Sequence, residues 1–223
     1  MLMNHTNHTG LAVELTVAQR NVELAFEVSP GDVMALVGPN GSGKTTTLMA
    51  LSGWLMPDVG TARLDGTVLF DCPNPAQRPK VWTPAVRRGI GYLSQDHHLF
   101  PHLSALDNIM YGMDRAGITG RKARKSKAEE WLERVGLSGY GKRKPHQLSG
   151  GQAQRVAIAR VLASNPQLVL LDEPLAALDA HAAPAIRQLL ADVLEGVTTV
   201  MVTHHQADID ALADDVYRIT SQT

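Results

Sequence analysis

One run, Gly38-Pro39-Asn40-Gly41-Ser42-Gly43-Lys44-Thr45, constrains this chain more than any other. It follows a continuously apolar stretch, Val33 to Val37, and precedes Thr45 to Leu55, whose composition is helical. A buried parallel strand, a glycine-rich turn and a helix form the setting in which the pattern G-x-x-x-x-G-K-[ST] cradles phosphate. The glycines let the backbone curl, so that successive N–H groups and the helix N-terminus face an anion. Lys44 is placed to reach β and γ oxygens, the Thr45 hydroxyl suits Mg²⁺, and Thr46 adds to the same first turn. A glycine-rich turn without a ligand is the alternative, and it leaves the flanking strand and helix unexplained. The chain is α/β from this point.

A second constellation lies downstream. Leu168 to Leu171 is a short apolar strand pattern that delivers two acids, Asp172 and Glu173. Alone these could cap a turn. Beside a phosphate loop they suit a metal ligand and a group polarising a water near the γ-phosphate.

Other segments place these motifs. Leu11, Val13, Leu15 and Val17 alternate with less apolar neighbours, as do Val22, Leu24, Phe26 and Val28, which predicts two half-buried strands turning through Ala18 to Asn21. From about Asp96 to Leu148 the strand pattern disappears, and Ala128, Trp131, Leu132 and Val135 recur at helical spacing before Gly136, a cap. Ile186, Leu189, Leu190, Val193 and Leu194 predict another helix, with Pro184 near its start and Gly196 past its end, before a strand at Thr199 to Val202. The basic run Arg121, Lys122, Arg124, Lys125 and Lys127 reads as the wet face of a helix.

Leu148-Ser149-Gly150-Gly151-Gln152, leading into helical Ala153 to Ala163, resembles the signature of the ATP-binding subunits of ABC transporters. A serine, exposed glycine N–H groups and a helix N-terminus again suit an anion. Further family elements follow in order: Gln95 in YLSQD resembles the Q-loop, Ala177-Leu178-Asp179 the D-loop, and His204 in VTHHQ the switch histidine. The resemblance spans nearly the whole chain. It implies a P-loop NTPase (RecA-like) α/β core, residues 1–95 and 149–223, with an N-terminal antiparallel β subdomain and an inserted α-helical subdomain, 96–148, facing a permease. It also implies ATP and Mg²⁺ as ligands. Gly38 to Thr46 together with Ser149 to Gln152 and Asp179 would hold nucleotide, with the Ser149 to Gln152 contribution coming from the opposite subunit of a homodimer. Thr45, Asp172 and Gln95 would face the metal; Glu173, His204, Gln95 and Lys44 would act in hydrolysis.

Two positions depart from the family's pattern. Many members carry an adenine-stacking aromatic ahead of the phosphate loop, yet Val17 to Asn21 has none, and weak discrimination between bases is the expectation. His205 stands where an acid often follows the switch histidine; it reads as a solvated imidazole. The pairs His97/His98 and His5/His8 are not read as metal sites, and no metal beyond Mg²⁺ is expected.

The stretch from Gly91 to Gly112, with Val68 to Asp71 and Arg87-Arg88, is similar to the ATPases of molybdate importers. Such ATPases often add a C-terminal oxyanion-binding domain; the sequence given stops at Thr223, so feedback through that domain is not expected. Composition agrees with a permease-bound enzyme at the cytoplasmic face. A net charge of -1 gives no footprint for nucleic acid, and a single cysteine, Cys72, allows no intrachain disulfide. No run approaches the ~20 apolar residues of a membrane span, so membrane attachment would come through permease subunits, with a solute-binding protein if the system imports. The rival class is a soluble ABC ATPase of DNA maintenance, which would carry a long coiled coil between Gln95 and the signature, where no heptads occur. Two-cassette translation factors and P-loop kinases fit less well.

Overall fold

The computed structural model describes residues 10–219 except 97, 114 and 115. Strands β1 (Leu11–Val17) and β2 (Val22–Val28) pair antiparallel from Leu11↔Val28 to Val17↔Val22, and their apolar positions are buried alternately, as the period-2 pattern predicts. The turn between them is a single 3₁₀ turn, Ala18–Arg20, closed by Asn21 in the left-handed region (φ 48°).

β3 (Val33–Val37) then enters the second sheet and α1 (Lys44–Ser52) follows it. The helix ends earlier than its composition suggests because Gly53 turns left-handed (φ 86°). β4 (Val59–Leu64), β5 (Thr67–Cys72) and β6 (Val81–Trp82) return to complete the antiparallel sheet in the order β2-β1-β4-β5-β6. β7 (Ile90–Leu93) joins the parallel sheet. Helices α2 (Ala105–Gly112), α3 (Arg121–Arg134) and α4 (Gly150–Leu162) come next. β8 (Leu168–Asp172), α5 (Ala182–Leu194), β9 (Thr199–Val202), α6 (Gln206–Leu212) and β10 (Asp215–Arg218) complete the order β10-β3-β9-β8-β7, parallel throughout. The class is α/β, as the sequence predicts.

The central parallel strands β3, β9 and β8 have two dry faces because each separates two cores. Met34 and Leu36 of β3, with Leu168 and Leu170 of β8, join Leu48 and Leu51 of α1 and the inner face of the antiparallel sheet. Val33 and Ala35, with Val169 and Leu171, face the helices, where Ile109, Trp131 and Ile158 are buried. This double burial makes these runs continuously apolar rather than alternating. α3 ends as its spacing predicts: Gly136 is left-handed (φ 68°), and the Leu137 amide donates back to the Leu132 carbonyl at 2.7 Å. Its basic face is solvated, with exposed pairs Lys125–Glu129 and Lys127–Glu130.

One buried cation ties the layers together. The Arg88 guanidinium is 2% exposed and donates through Nη1 to the carbonyls of Ala50 and Leu51, 2.8 and 2.7 Å away, closing the C-terminus of α1. Its Nε donates to the Thr83 carbonyl, and the group lies 4.5 Å from the centre of the Trp82 ring. Burial lowers its pKa to about 10, so it remains charged at neutral pH. Arg88→Met keeps the volume but takes the guanidinium donors from the Leu51 and Thr83 carbonyls, while Ala50 keeps the Gly53 amide, and is expected to lower folding stability by about 3 kcal/mol in urea titrations.

Candidate functional site

The carboxyl ends of β3, β8 and β9 open into a cavity of about 900 Å³. In an open parallel sheet this is where ligands bind. The phosphate loop forms one wall, through Asn40, Gly41, Gly43, Lys44, Thr45 and Thr46. Gly43 is required there: its φ is 98°, and a Cβ at this position would lie 2.3 Å from Val22 Cγ2. Lys44 is only 7% exposed and donates to the carbonyls of Gly38 and Pro39 at 2.8 and 2.9 Å. Burial lowers its pKa, while Glu173 and Asp172 pull it back up. The Ser42 hydroxyl is buried with no partner inside the protein. A loop of amides, an unsatisfied hydroxyl and a buried ammonium fit a polyphosphate.

The opposite wall carries the acids. Asp172 ends β8 at 2% exposure, and its Oδ2 has no hydrogen-bond partner. Burial raises its pKa, opposed by the Thr45 hydroxyl, Lys44 and His204. An orphaned carboxylate oxygen beside a threonine hydroxyl and the exposed Gln95 fits Mg²⁺. This ion takes one or two protein ligands and completes its shell with phosphate oxygens and water. Because the folded pKa of Asp172 is raised, its ionised form opposes folding; the penalty is absent at low pH and grows as pH rises through the folded value. Asp172→Asn is therefore expected to raise the melting temperature of the ligand-free protein by a few degrees at pH 8, with the gain vanishing toward pH 4.

Glu173 adopts a left-handed backbone (φ 51°) outside any helix, its amide donating to the Val202 carbonyl at 2.9 Å. A non-glycine residue held there is strain that the surrounding sheet imposes, and it aims the side chain into the cavity. Glu173 Oε1 lies 3.4 Å from His204 Nε2. Burial raises the Glu173 pKa most, His204 lowers it, and Asp172 raises it further. The loop carrying His204 is fixed from below. The His205 amide donates to Thr203 Oγ1, which meets buried Asp208, itself held by Arg187 of α5 at 2.7 and 2.8 Å.

Ser149, Gly150, Gly151, Gln152 and Asp179 do not line this cavity. Ser149 instead caps α4: its Oγ accepts from the Gln152 amide at 3.3 Å, and Gln152 Oε1 accepts from the Ser149 amide at 3.1 Å. Gly151 packs against the next loop, where a Cβ would stand 3.0 Å from the Ala177 carbonyl. Asp179 is exposed and accepts from the amides of Ala182 and His181, which lowers its pKa. Buried Gln154 of α4 donates to the Pro174 carbonyl at 2.6 Å, one residue beyond Glu173.

Three lining residues escaped the sequence reading: Arg20, Ala176 and Val202. Only Arg20 carries charge, and the polar turn between the first two strands was its sole signal. His205 does line the cavity. His98 hydrogen-bonds Ser94, whereas His97 and the pair His5/His8 lie outside the described residues. Among the described residues no cluster of three or more His, Cys, Asp or Glu side chains could hold a metal, and no helix is long and apolar enough to cross a membrane.

A family profile described as ABC transporter matches residues 22–176. The Molybdenum import ATP-binding protein ModC of Mycobacterium tuberculosis is 44% identical over 96% of this chain and 58% of its own length. The Fe(3+) ions import ATP-binding protein FbpC 2 of Rhodococcus jostii is also 44% identical, over 86% of this chain and 53% of its own. The chain thus spans a little over half the length of these relatives. The ATP-binding cassette MJ0796, solved as a dimer in a post-hydrolysis state with ADP and Pi, superposes with a TM-score of 0.81 at 29% identity, covering 95% of this chain and 94% of that one. With the profile covering more than half the sequence and the relatives nearly all of it, the chain belongs to the ABC transporter family.

Proposed function

We propose that this chain is the ATP-hydrolysing subunit of an ABC importer, a cytoplasmic motor bound to a separate membrane permease. The observation that carries the reading is the single cavity into which a buried lysine, an orphaned aspartate, a strained glutamate and a histidine all project. The phosphate loop with Lys44 binds the polyphosphate, and Glu173 takes a proton from the attacking water while His204 holds its carboxylate. Mg²⁺ held by Thr45, Asp172 and Gln95 would neutralise charge on the terminal phosphates. Since Ser149 to Gln152 lie off the cavity, they serve a second copy: a head-to-tail homodimer encloses two ATP molecules, each between one phosphate loop and the partner's α4. The dimeric cassette of the same fold supports that assembly.

The permease side of the reading rests on an aromatic strip. Trp54, 56% exposed, meets Tyr92 and His98 edge-on at 5.5 and 5.8 Å. Arg160 donates to the His98 carbonyl at 2.8 Å and lies over Phe100, which packs against exposed Tyr111 at 4.5 Å. The strip joins the core (1–95 and 149–223) to the helical lobe (96–148) just past Gln95, so an apolar permease helix docked on it would sense both. Molybdate or a similar oxyanion is the favoured cargo, because the molybdenum-import relative matches a larger share of this chain; ferric iron is the second reading, at equal identity. A solute-binding protein would deliver either one.

Steady-state ATP hydrolysis against protein concentration tests the motor. A rate per subunit that rises with concentration is expected, and a strictly linear activity would sink the shared-site reading. Copurification with a permease, followed by molybdate and ferric iron uptake in cells lacking the subunit, decides the cargo.

A further inference from the structure

The cavity has a cation that the mechanism above does not use. Arg20 ends the 3₁₀ turn between β1 and β2, on the antiparallel layer rather than on the parallel sheet that carries the acids. The turn is fixed on both sides: the Ala18 amide donates to Asp58 Oδ2 at 2.7 Å, and the Asp58 amide donates to the Thr16 carbonyl at 2.9 Å. From it the guanidinium reaches across to α1, where Nη1 donates to Thr46 Oγ1 at 3.2 Å. Thr46 lies two residues beyond Lys44, in the first turn of the helix whose N-terminus faces the cavity. Among the described ion pairs none involves Arg20, and its side chain is exposed.

We propose that Arg20 is a nucleotide-binding residue that pairs with the α-phosphate, and so supplies by charge the affinity that a base-stacking ring would supply by contact. The inference rests on the ATP-site reading above and goes further, to what the site recognises. Lys44, held by the Gly38 and Pro39 carbonyls, serves the terminal phosphates. A guanidinium about half a helical turn along, at Thr46, would face the phosphate nearest the sugar. Its planar fork suits two phosphate oxygens, and the hydrogen bond to the neutral Thr46 hydroxyl is readily exchanged for a charged one. A phosphate contact is blind to the base. Together with the lack of an aromatic from Val17 to Asn21, it makes the site accept ATP and GTP with similar affinity.

Calorimetric titration of ATP and GTP, in a chain carrying Glu173→Gln to suppress turnover, tests this with native Arg20, Arg20→Met and Arg20→Lys. Arg20→Met should weaken both nucleotides by about tenfold and to the same extent, the size of one charged hydrogen bond. It should also flatten the dependence of affinity on salt. Arg20→Lys should recover part of the loss, and an exposed residue should leave the melting temperature unchanged. Unaltered affinity in Arg20→Met, a loss confined to one base, or a loss that Arg20→Lys does not relieve would each overturn the proposal. A Lys44→Ala control separates the two levels: if the native Arg20 chain does not bind nucleotide, or binds it independently of Lys44, the ATP-site reading itself falls.

Discussion

Glu173→Gln is expected to leave ATP binding within about twofold of the native chain and to reduce turnover by 100-fold or more, a loss in the range typical of removing a general base. Two features of the site make the two effects separable. No described hydrogen bond joins the Glu173 carboxylate to the phosphate loop, although its charge acts on Lys44 through space; its Oε1 stands 3.4 Å from His204 Nε2 without a hydrogen-bond partner. The backbone strain at φ 51° is a property of the chain path, closed by the amide bond to Val202, and glutamine can occupy it equally well. Replacing the carboxylate with its amide therefore keeps the shape and removes the base. With binding intact and hydrolysis stopped, the ATP-bound dimer should accumulate, so gel filtration with MgATP would show a shift to twice the subunit mass. Native turnover in this variant would overturn the assignment of Glu173.

Ser149→Asp should abolish the concentration-dependent part of the ATPase while leaving the fold untouched. Most substitutions here confuse two roles, because Ser149 Oγ caps α4 through the Gln152 amide. Aspartate is as good an N-cap as serine, and its charge favours the helix N-terminus. The urea midpoint should therefore stay level or rise slightly. The same charge placed against a neighbour's γ-phosphate would repel it, and closure of the dimer around ATP should weaken by tenfold or more. Ser149 lies outside the cavity, so ATP binding to the separate subunit should be unaffected. Retention of a rate per subunit that rises with concentration would show that the neighbour's nucleotide never meets this helix.

These two residues also show what the sequence discloses. The run from Gly38 to Thr45 could be placed at once because its spacing and its flanking strand and helix are a local matter, and the helix does begin at Lys44. Continuous apolarity in Val33–Val37 and from Leu168 to Leu171 likewise signals strands covered on both faces, and each separates two cores. β4 and β5 were harder to see. Gly60 sits within β4, and opposite Ala62 and Arg63 the register slips past Leu69 of β5, so Leu69 and Phe70 are both buried and the alternation breaks there. β10 left no pattern at all: as an edge strand with Asp215, Val216 and Arg218 exposed, it presents no apolar periodicity. Arg20 was overlooked for a different reason. Its place at the cavity depends on a turn of one layer meeting a helix 26 residues away, a tertiary fact that no window of sequence contains.

The buried bond from Gln154 to the Pro174 carbonyl has a mechanical consequence. It ties α4 to the backbone just past Glu173 at a point two residues beyond Gln152, close to the Ser149 end of the helix. A displacement of that helix end is passed directly to the Pro174 backbone. In the proposed dimer the grip of Ser149 to Gln152 and the alignment of Glu173 would therefore share this one connection, and a substitution that loosens one without disturbing the other would have to be sought away from this helix.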